Sequence, residues 1–242
     1  MTTAASRASS DRLVVITGVG RAGQAGEAIA AAFARDGAEL ALIDRDAGVS
    51  ERAAAVVKSG GRARGIVADL TDPQDSLRAA REALGSDDRP LAALVAAAGG
   101  FAMSGPVGES DPAVWHRQIA VSLTTAYLST RAFMAALRRG RGSIVYFGAA
   151  AVLPGGAVGE KSAYAAAKAG VLALMQAVSQ EEQKNGVRAN AIAPTMIRTA
   201  LNESEMGANR NYVERESVAD VVRWLCSDAA RDVTGQTIRL GS

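Results

Sequence analysis

The sequence predicts an α/β protein: a doubly wound parallel sheet with helices on both faces, in a single domain. Three observations carry that prediction. Apolar strand-like runs alternate with helix-like runs along the whole chain, which implies parallel strands joined by helical crossovers. A glycine-rich turn follows the first strand and opens the first helix. No break in composition marks a linker, and 242 residues suit one large α/β domain, here 12–242 after a flexible start over 1–11.

Each element has its own reason. Arg12–Thr17 (RLVVIT) is a short apolar run of the kind buried on both faces, and reads as the first strand. Gly18–Gly26 is the turn. In Glu27–Asp36, Ile29 and Phe33 share one helical face, and Gly37 stops the helix. Glu39–Ile43 is the second strand, closed by Asp44. Ser50–Ser59 is a helix ended by Gly60 and Gly61, Ala63–Ala68 the third strand, and Asp75–Leu84 a helix. Leu91–Ala97 is the fourth strand. Ala113–Leu137 reads as one long helix, stopped by Arg138, Arg139 and Gly140. Ser143–Phe147 (SIVYF) is the fifth strand, Ser162–Glu182 a second long helix, and Arg188–Ile192 the sixth strand. Val218–Leu225 is a late helix and Gln236–Leu240 the last strand. Pro194–Tyr212 is the one long stretch without an assigned element, and loops of that length are commonly lids or binding segments.

Composition excludes several function classes. Lys and Arg number 27 against 25 Asp and Glu, so the net charge of +2 is no polycation for nucleic acid, and 4% aromatics gives no stacking platform. A single cysteine, Cys226, makes no internal disulfide or zinc cluster. A single histidine, His116, excludes a multi-histidine metal site and argues against a Ser-His-Asp triad. No metal is expected. Met1–Ser10 lacks the apolar core of a signal peptide and no run reaches the length of a membrane span, so a cytoplasmic protein acting on a small molecule is expected.

The chemistry-bearing residues fall at strand ends. Gly18-Val19-Gly20-Arg21-Ala22-Gly23 matches G-x-G-x-x-G in the strand–turn–helix setting that makes the match informative. Glycines there let the backbone approach a pyrophosphate, and free N–H groups at the helix start bind it. Asp44, ending the second strand, can accept the adenosine ribose hydroxyls and repel a 2′-phosphate. Arg45 beside it could instead bind that phosphate. The pair points to NAD over NADP. Tyr164 and Lys168, four apart on the second long helix, share a face, and a neighbouring ammonium is expected to lower a tyrosine pKa from about 10. Such a tyrosine can serve as a proton donor, and the lysine can hold a ribose hydroxyl.

With these residues the chain resembles the short-chain dehydrogenase/reductase family from about Arg12 to Gly241. The matching pieces are Thr17-Gly18, Asp44, Asp69-Leu70, Ala98-Gly99 after the fourth strand, Tyr164 with Lys168, Asn190–Pro194 and Thr234–Gln236. The resemblance implies a Rossmann domain and an NAD(P)-dependent oxidoreductase. It implies an adenine contact near Asp69 and Leu70, cofactor contacts from Ala97, Ala98 and Gly99, and nicotinamide contacts from Pro194, Thr195, Ile197 and Thr199. It also implies a homo-oligomer, dimer or tetramer, built on the two long helices.

The family pattern is departed from at four places. The turn is one or two residues long, so that family spacing puts its last glycine at Gly26. Ala96-Ala97 replaces Asn-Asn, and Ser122 replaces the helix asparagine, where it could position Lys168 through water. The serine that the fifth strand delivers to the substrate oxygen is replaced by Ala149 or Ala151, and no serine occurs between Ser143 and Ser162. Dihydropteridine reductase shares the alanine, the Ala98-Gly99-Gly100-Phe101 pattern and an irregular glycine turn. That resemblance implies a conjugated or quinonoid acceptor. The alternative is a dinucleotide-binding protein with little or no turnover. Elsewhere, His116 beside Trp115 reads as a surface or interface residue, Arg138–Arg141 as a solvated helix end, and Cys226 as buried packing. Met196 and Ile197 border either the nicotinamide or the core, and Met206–Tyr212 is either a substrate lid or a mobile loop.

Overall fold

The structure, a computed structural model, describes residues 12–86, 89–207 and 211–242. The start expected to be flexible, 1–11, lies outside the described residues. Seven parallel strands form one sheet: β1 Leu13–Thr17, β2 Glu39–Asp44, β3 Arg62–Val67, β4 Ala93–Ala96, β5 Ser143–Phe147, β6 Arg188–Pro194 and β7 Thr237–Leu240. Their order is β3-β2-β1-β4-β5-β6-β7. The chain fills one half outward from β1, returns past it to β4, and fills the other half. A crevice opens outside the C-terminal strand ends at that reversal, the Rossmann arrangement for a dinucleotide.

The helices are α1 Ala25–Arg35, α2 Val49–Lys58, α3 Pro73–Leu84, α4 Pro112–Gln118, α5 Thr125–Gly140, α6 Ser162–Glu181, α7 Ala200–Met206 and α8 Arg215–Leu225. Two apolar layers sandwich the sheet. In β1, Leu13 and Val15 point into a layer with Phe133 of α5 and Val171 and Met175 of α6. Val14 and Ile16 point the other way, among Ile29 and Phe33 of α1 and Val218 and Val222 of α8. Burial on both faces explains why β1 and β5 are apolar almost throughout instead of alternating.

Two expectations are corrected. The helix expected over Ala113–Leu137 keeps one continuous path from Pro112 to Gly140 but widens into a π turn over Ile119–Thr124. Thr125 accounts for part of this. Its hydroxyl donates back to the carbonyls of Val121 and Ser122 at 2.8 and 3.3 Å, so those carbonyls have an acceptable alternative to regular helix bonds. The turn packs hard on α6, where a Cβ on Gly170 would lie 2.7 Å from the Leu123 side chain. The stretch Pro194–Tyr212 contains a short helix, α7, capped by the Thr199 hydroxyl accepting from the Asn202 amide at 3.1 Å. Ile197 forms an isolated bridge with Val213. No helix among the described residues is long and apolar enough to cross a membrane.

The Arg138–Arg141 run is only partly a solvated helix end. Arg138 donates two bonds, at 2.8 and 2.5 Å, to the buried carboxylate of Glu182 just past α6, and Asn185 donates a third at 2.7 Å. The Arg138 guanidinium, followed by Asn185, holds the Glu182 carboxyl below its ordinary range. A depressed carboxylate pKa contributes stability that is present above the ordinary value and lost as pH falls through the depressed one. Glu182→Ala should therefore destabilise the fold at pH 7 by about 1–3 kcal/mol, the worth of a charged hydrogen-bond pair. In thermal unfolding, the gap between the native protein and the variant should shrink from pH 7 to pH 3.

Candidate active site

The glycine turn is shaped by close approach. Gly18 has φ +80 and donates its N–H to the Ile43 carbonyl at 2.9 Å, and a Cβ on it would lie 2.8 Å from the Ala98 backbone. The turn thus lies directly against Ala97 and Ala98, just past the end of β4. At Gly26 a Cβ would lie 2.6 Å from the Gly18 carbonyl oxygen. The close helix–strand packing that G-x-G-x-x-G assigns to its last glycine is therefore made by Gly26 and not by Gly23. Gly23 instead touches α7: its carbonyl accepts the Ala200 N–H at 3.1 Å, and its own N–H donates to Glu27 Oε2 at 2.8 Å. The amides of Ala25 and Gly26, the first two of α1, have no acceptor among the described residues, so the turn ends in an open anion cradle. Arg21 and Ala22 form the exposed tip of the turn.

Asp44 stands at the edge of this turn. Its Oδ2 accepts from Gly20 N at 2.8 Å and its Oδ1 from Asp46 N at 2.9 Å. These two bonds fix the carboxylate in place and leave each oxygen with a free lone pair. Arg45 is exposed and lies toward β3, where its charge helps, after two bonds from Thr71, to hold the Asp69 carboxyl below its ordinary range. Leu70 is buried in the core, and its carbonyl accepts from the Ser76 hydroxyl at 3.3 Å.

Tyr164 and Lys168 lie on the first turns of α6. Lys168 is buried and its Nζ donates to the Phe147 carbonyl, the last of β5, at 2.8 Å. Nζ sits 5.9 Å from the Tyr164 ring centroid. The hydroxyl of Tyr164 bonds to nothing among the described residues. Here the sequence reading needs correction. A lowered tyrosine pKa is expected from the neighbouring ammonium, yet burial dominates both groups in the protein alone: Tyr164 is pushed up to about 12 and Lys168 down to about 8. The phenol is a firmly neutral donor, and the lysine shares its shell with no carboxylate that would hold its charge.

Ser122 comes to the same place from the π turn. Its hydroxyl is buried and has no hydrogen-bond partner among the described residues. A Cβ on Gly99 would lie 3.4 Å from Lys168 Nζ and 3.5 Å from Ser122 Oγ, so the three residues surround one small space. Two residues past β5, Ala149 is extended and buried, just before a single 3-10 turn over Ala150–Val152. Ser143 lies at the opposite strand end, donating to the Leu225 carbonyl at 3.1 Å. Ser162 pairs with Ser104 at 3.2 Å. On the β6 side, Pro194 ends the strand, Thr195 N donates to the Leu240 carbonyl, Ile197 is held by its bridge, and the Thr199 hydroxyl is spent on capping α7.

The structure therefore brings the glycine turn, Asp44, Ala97–Gly99, Ser122, Tyr164 and Lys168 to one crevice. Arg45 and Asp69 lie at its outer end. His116 is exposed on α4, and Cys226 is buried with its thiol pushed up to about 12, chiefly by that burial. Sequence reasoning missed Phe101 as a site residue. Its ring meets Tyr164 edge-on, 5.0 Å between centroids at 80°. The signal was an aromatic residue directly after two glycines at a strand end. It also missed the tie between the loops after β4 and β5, where the Ser104 and Gly105 amides both donate to the Glu160 carbonyl, at 2.8 and 3.1 Å.

Known proteins share this architecture. A family model described as enoyl-(acyl carrier protein) reductase matches residues 18–240. 2-(S)-Hydroxypropyl-CoM dehydrogenase 3 of Xanthobacter autotrophicus is 36% identical over 246 residues, covering 93% of each chain. Inactive 2-(S)-hydroxypropyl-CoM dehydrogenase 2 of the same organism is 34% identical over 227 residues, covering 86% of this chain and 95% of that one. A Beutenbergia cavernae protein assigned as an NAD(P)-dependent gluconate 5-dehydrogenase, solved with NADP at low occupancy, superposes with a TM-score of 0.85 at 30% identity over 95% of each chain. With a family match that runs from the glycine turn to the last strand, the chain belongs to the short-chain dehydrogenase/reductase family of NAD(P)-dependent oxidoreductases.

Proposed function

We propose that the chain transfers a hydride between NAD(H), preferred over NADP(H), and a carbonyl or alcohol carbon, with Tyr164 as the proton donor and acceptor. The observation that carries this reading is the Tyr164–Lys168 pair one helical turn apart, its ammonium bonded to the end of β5, beside a turn with open amides. The bound dinucleotide supplies the hydride. In reduction, the Tyr164 hydroxyl hydrogen-bonds the carbonyl oxygen and gives it a proton as the hydride reaches carbon. The resulting phenolate is stabilised by the Lys168 ammonium. Lys168 also holds the nicotinamide ribose, and Ser122 steadies it through a water in the space beside Gly99. The open amides at the start of α1 with Gly18, Gly20, Arg21, Ala22 and Gly23 take the pyrophosphate. Asp44 takes the adenosine ribose, with Arg45, Asp69 and Leu70 toward the adenine. Ala97–Gly99 and Pro194–Thr199 take the nicotinamide half. The two long helices pair copies of the chain into a homo-oligomer.

None of the relatives named above is a dihydropteridine reductase, so the acceptor class rests on the site's own chemistry. With alanine where a strand-five serine would donate, Tyr164 alone meets the charge developing on the substrate oxygen. A conjugated acceptor spreads that charge and loses less from the absent donor. A second reading is a dinucleotide-binding protein with little turnover, favoured by the same alanine and by the inactive relative. The same assays separate the two.

Tyr164→Phe should cut NADH-dependent reduction at least about tenfold while leaving NADH binding by fluorescence titration in place. Full activity in this variant would remove Tyr164 from its role. With Lys168 at about 8, kcat/KM for reduction should fall as pH rises through that value, because the ammonium form is lost.

Asp44→Ala should narrow or reverse a preference for NADH over NADPH. Tighter NADPH binding by the native protein would contradict the ribose assignment.

Ala149→Ser should raise turnover of unactivated ketones more than that of conjugated acceptors, by at most about 10²-fold. Brisk reduction of an unactivated ketone by the native protein would show that another group replaces the donor.

A further inference from the structure

Resting on the proposed hydride transfer at Tyr164, we infer that the substrate is a neutral carbonyl compound, or its alcohol, whose reacting oxygen sits on an apolar skeleton. Among the described residues, the loops beside Tyr164 offer mainly apolar side chains, Ser122 apart. Eleven large hydrophobic side chains are exposed among the described residues, and six of them lie in the three segments that follow β4, β5 and β6: Phe101, Met103, Val107, Val158, and Leu201 and Met206 of α7. Exposed apolar residues grouped in this way mark a surface that a ligand or another chain covers, and the position beside Tyr164 favours the ligand. Phe101, 55% exposed, is placed directly by its edge contact with the Tyr164 ring. The β4 and β5 loops are fastened together by the Ser104 and Gly105 amides on the Glu160 carbonyl, with Glu160 held in a left-handed conformation at φ +59. That tie sets Met103 and Val158 on the same rim. The third loop reaches the crevice through the bond from the Ala200 amide to Gly23.

The backbone beneath is equally bare. From Gly148 to Gly159 the chain reads GAAAVLPGGAVG, without one polar side chain, and 97–103 reads AAGGFAM. Several of the polar groups that follow are already engaged. The Ser104 hydroxyl contacts Ser162 and the Glu160 carbonyl, at 3.2 Å each. Asn202 donates to the Ile197 carbonyl at 2.8 Å, and Thr199 caps α7. Of the described cations on these loops, Arg198 is bonded to Glu203 and Glu214 at 2.7 and 2.8 Å, which leaves Lys161. A polyol would set hydroxyls against this wall without side-chain partners, a loss of about 10- to 10²-fold, while each methylene would gain contact.

The test compares carbonyl compounds of matched reactivity with NADH and the native protein: a homologous series of alkyl or alicyclic ketones, a polyhydroxylated ketose, and a keto acid. Specificity expressed as kcat/KM should rise about threefold per added methylene, and the ketose and keto acid should fall at least tenfold below the apolar compounds. A non-reducible apolar amide should bind the NADH complex with a negative heat-capacity change. Phe101→Ser should weaken that binding and flatten the methylene dependence without changing the NADH Kd, and Val158→Ser should do so more weakly. A ketose or keto acid preferred over the apolar ketones would overturn the inference and leave the hydride transfer standing. If no carbonyl compound is reduced, the proposed function falls, and the amide titration alone decides. Apolar binding sensitive to Phe101 would then uphold the apolar site, and its absence would overturn it.

Discussion

The bond from the Lys168 ammonium to the Phe147 carbonyl is the constraint on which the rest of the site depends. A lysine this deeply buried is costly, and its charge is tolerated only where fixed dipoles replace water. The carbonyl at the end of β5 is such a dipole, and accepting at 2.8 Å it pins the start of α6 to the sheet. Tyr164, one turn earlier on the same face, is thereby set at the C-terminal mouth. The same ammonium dictates its other neighbours. A Cβ at residue 99 would touch both Nζ and Ser122 Oγ, at 3.4 and 3.5 Å, so a side chain there would fill the space between them. The π turn, held by the Thr125 hydroxyl, turns Ser122 toward that space.

Much of this was legible in the sequence for physical reasons. A strand buried on both faces leaves an apolar run that few other structures produce, so β1 and β5 stand out, and the glycines fall where the backbone passes closest to itself. Asp44 was legible because a strand end fixes where its side chain points. What was not legible depended on contacts far apart in sequence. The π turn lies inside a run whose helical period looks unbroken, and its cause is one hydroxyl bonding backward. The helix α7 is a seven-residue segment with two glutamates and a serine, held by a threonine cap, the Gly23 carbonyl and Tyr212, whose hydroxyl donates to the Asn202 and Gly207 carbonyls at 3.1 and 2.7 Å. Arg138 looked like a solvated helix end because its partner, Glu182, is 44 residues away.

The tyrosine shows where local reasoning fails. Four-residue spacing on a helix correctly predicts that Tyr164 and Lys168 share a face, but not the medium between them. A neighbouring ammonium lowers a phenol pKa when both remain hydrated. Here desolvation raises the phenol and lowers the amine, and it outweighs their attraction across 5.9 Å. The resting site therefore holds a protonated tyrosine across the physiological range, which suits a proton donor. A base for alcohol oxidation must be created by additional positive charge in the crevice, and the oxidised nicotinamide ring carries such a charge.

The apolar wall and the missing strand-five hydroxyl follow from the same economy. A serine at Ala149 would need a partner whenever substrate is absent, and the segment from Gly148 to Gly159 contains no side chain that could give it one. Alanine removes that cost and with it one donor to the substrate oxygen. In the proposed reaction Tyr164 is then the remaining donor, partly withdrawn from water by its burial, where a single hydrogen bond is electrostatically stronger than in water. Dryness also raises the penalty for any substrate hydroxyl or charge left unpaired. On the proposed function, the features that would weaken catalysis on a simple carbonyl would also sharpen selection for a molecule whose only polar demand is the oxygen that Tyr164 meets.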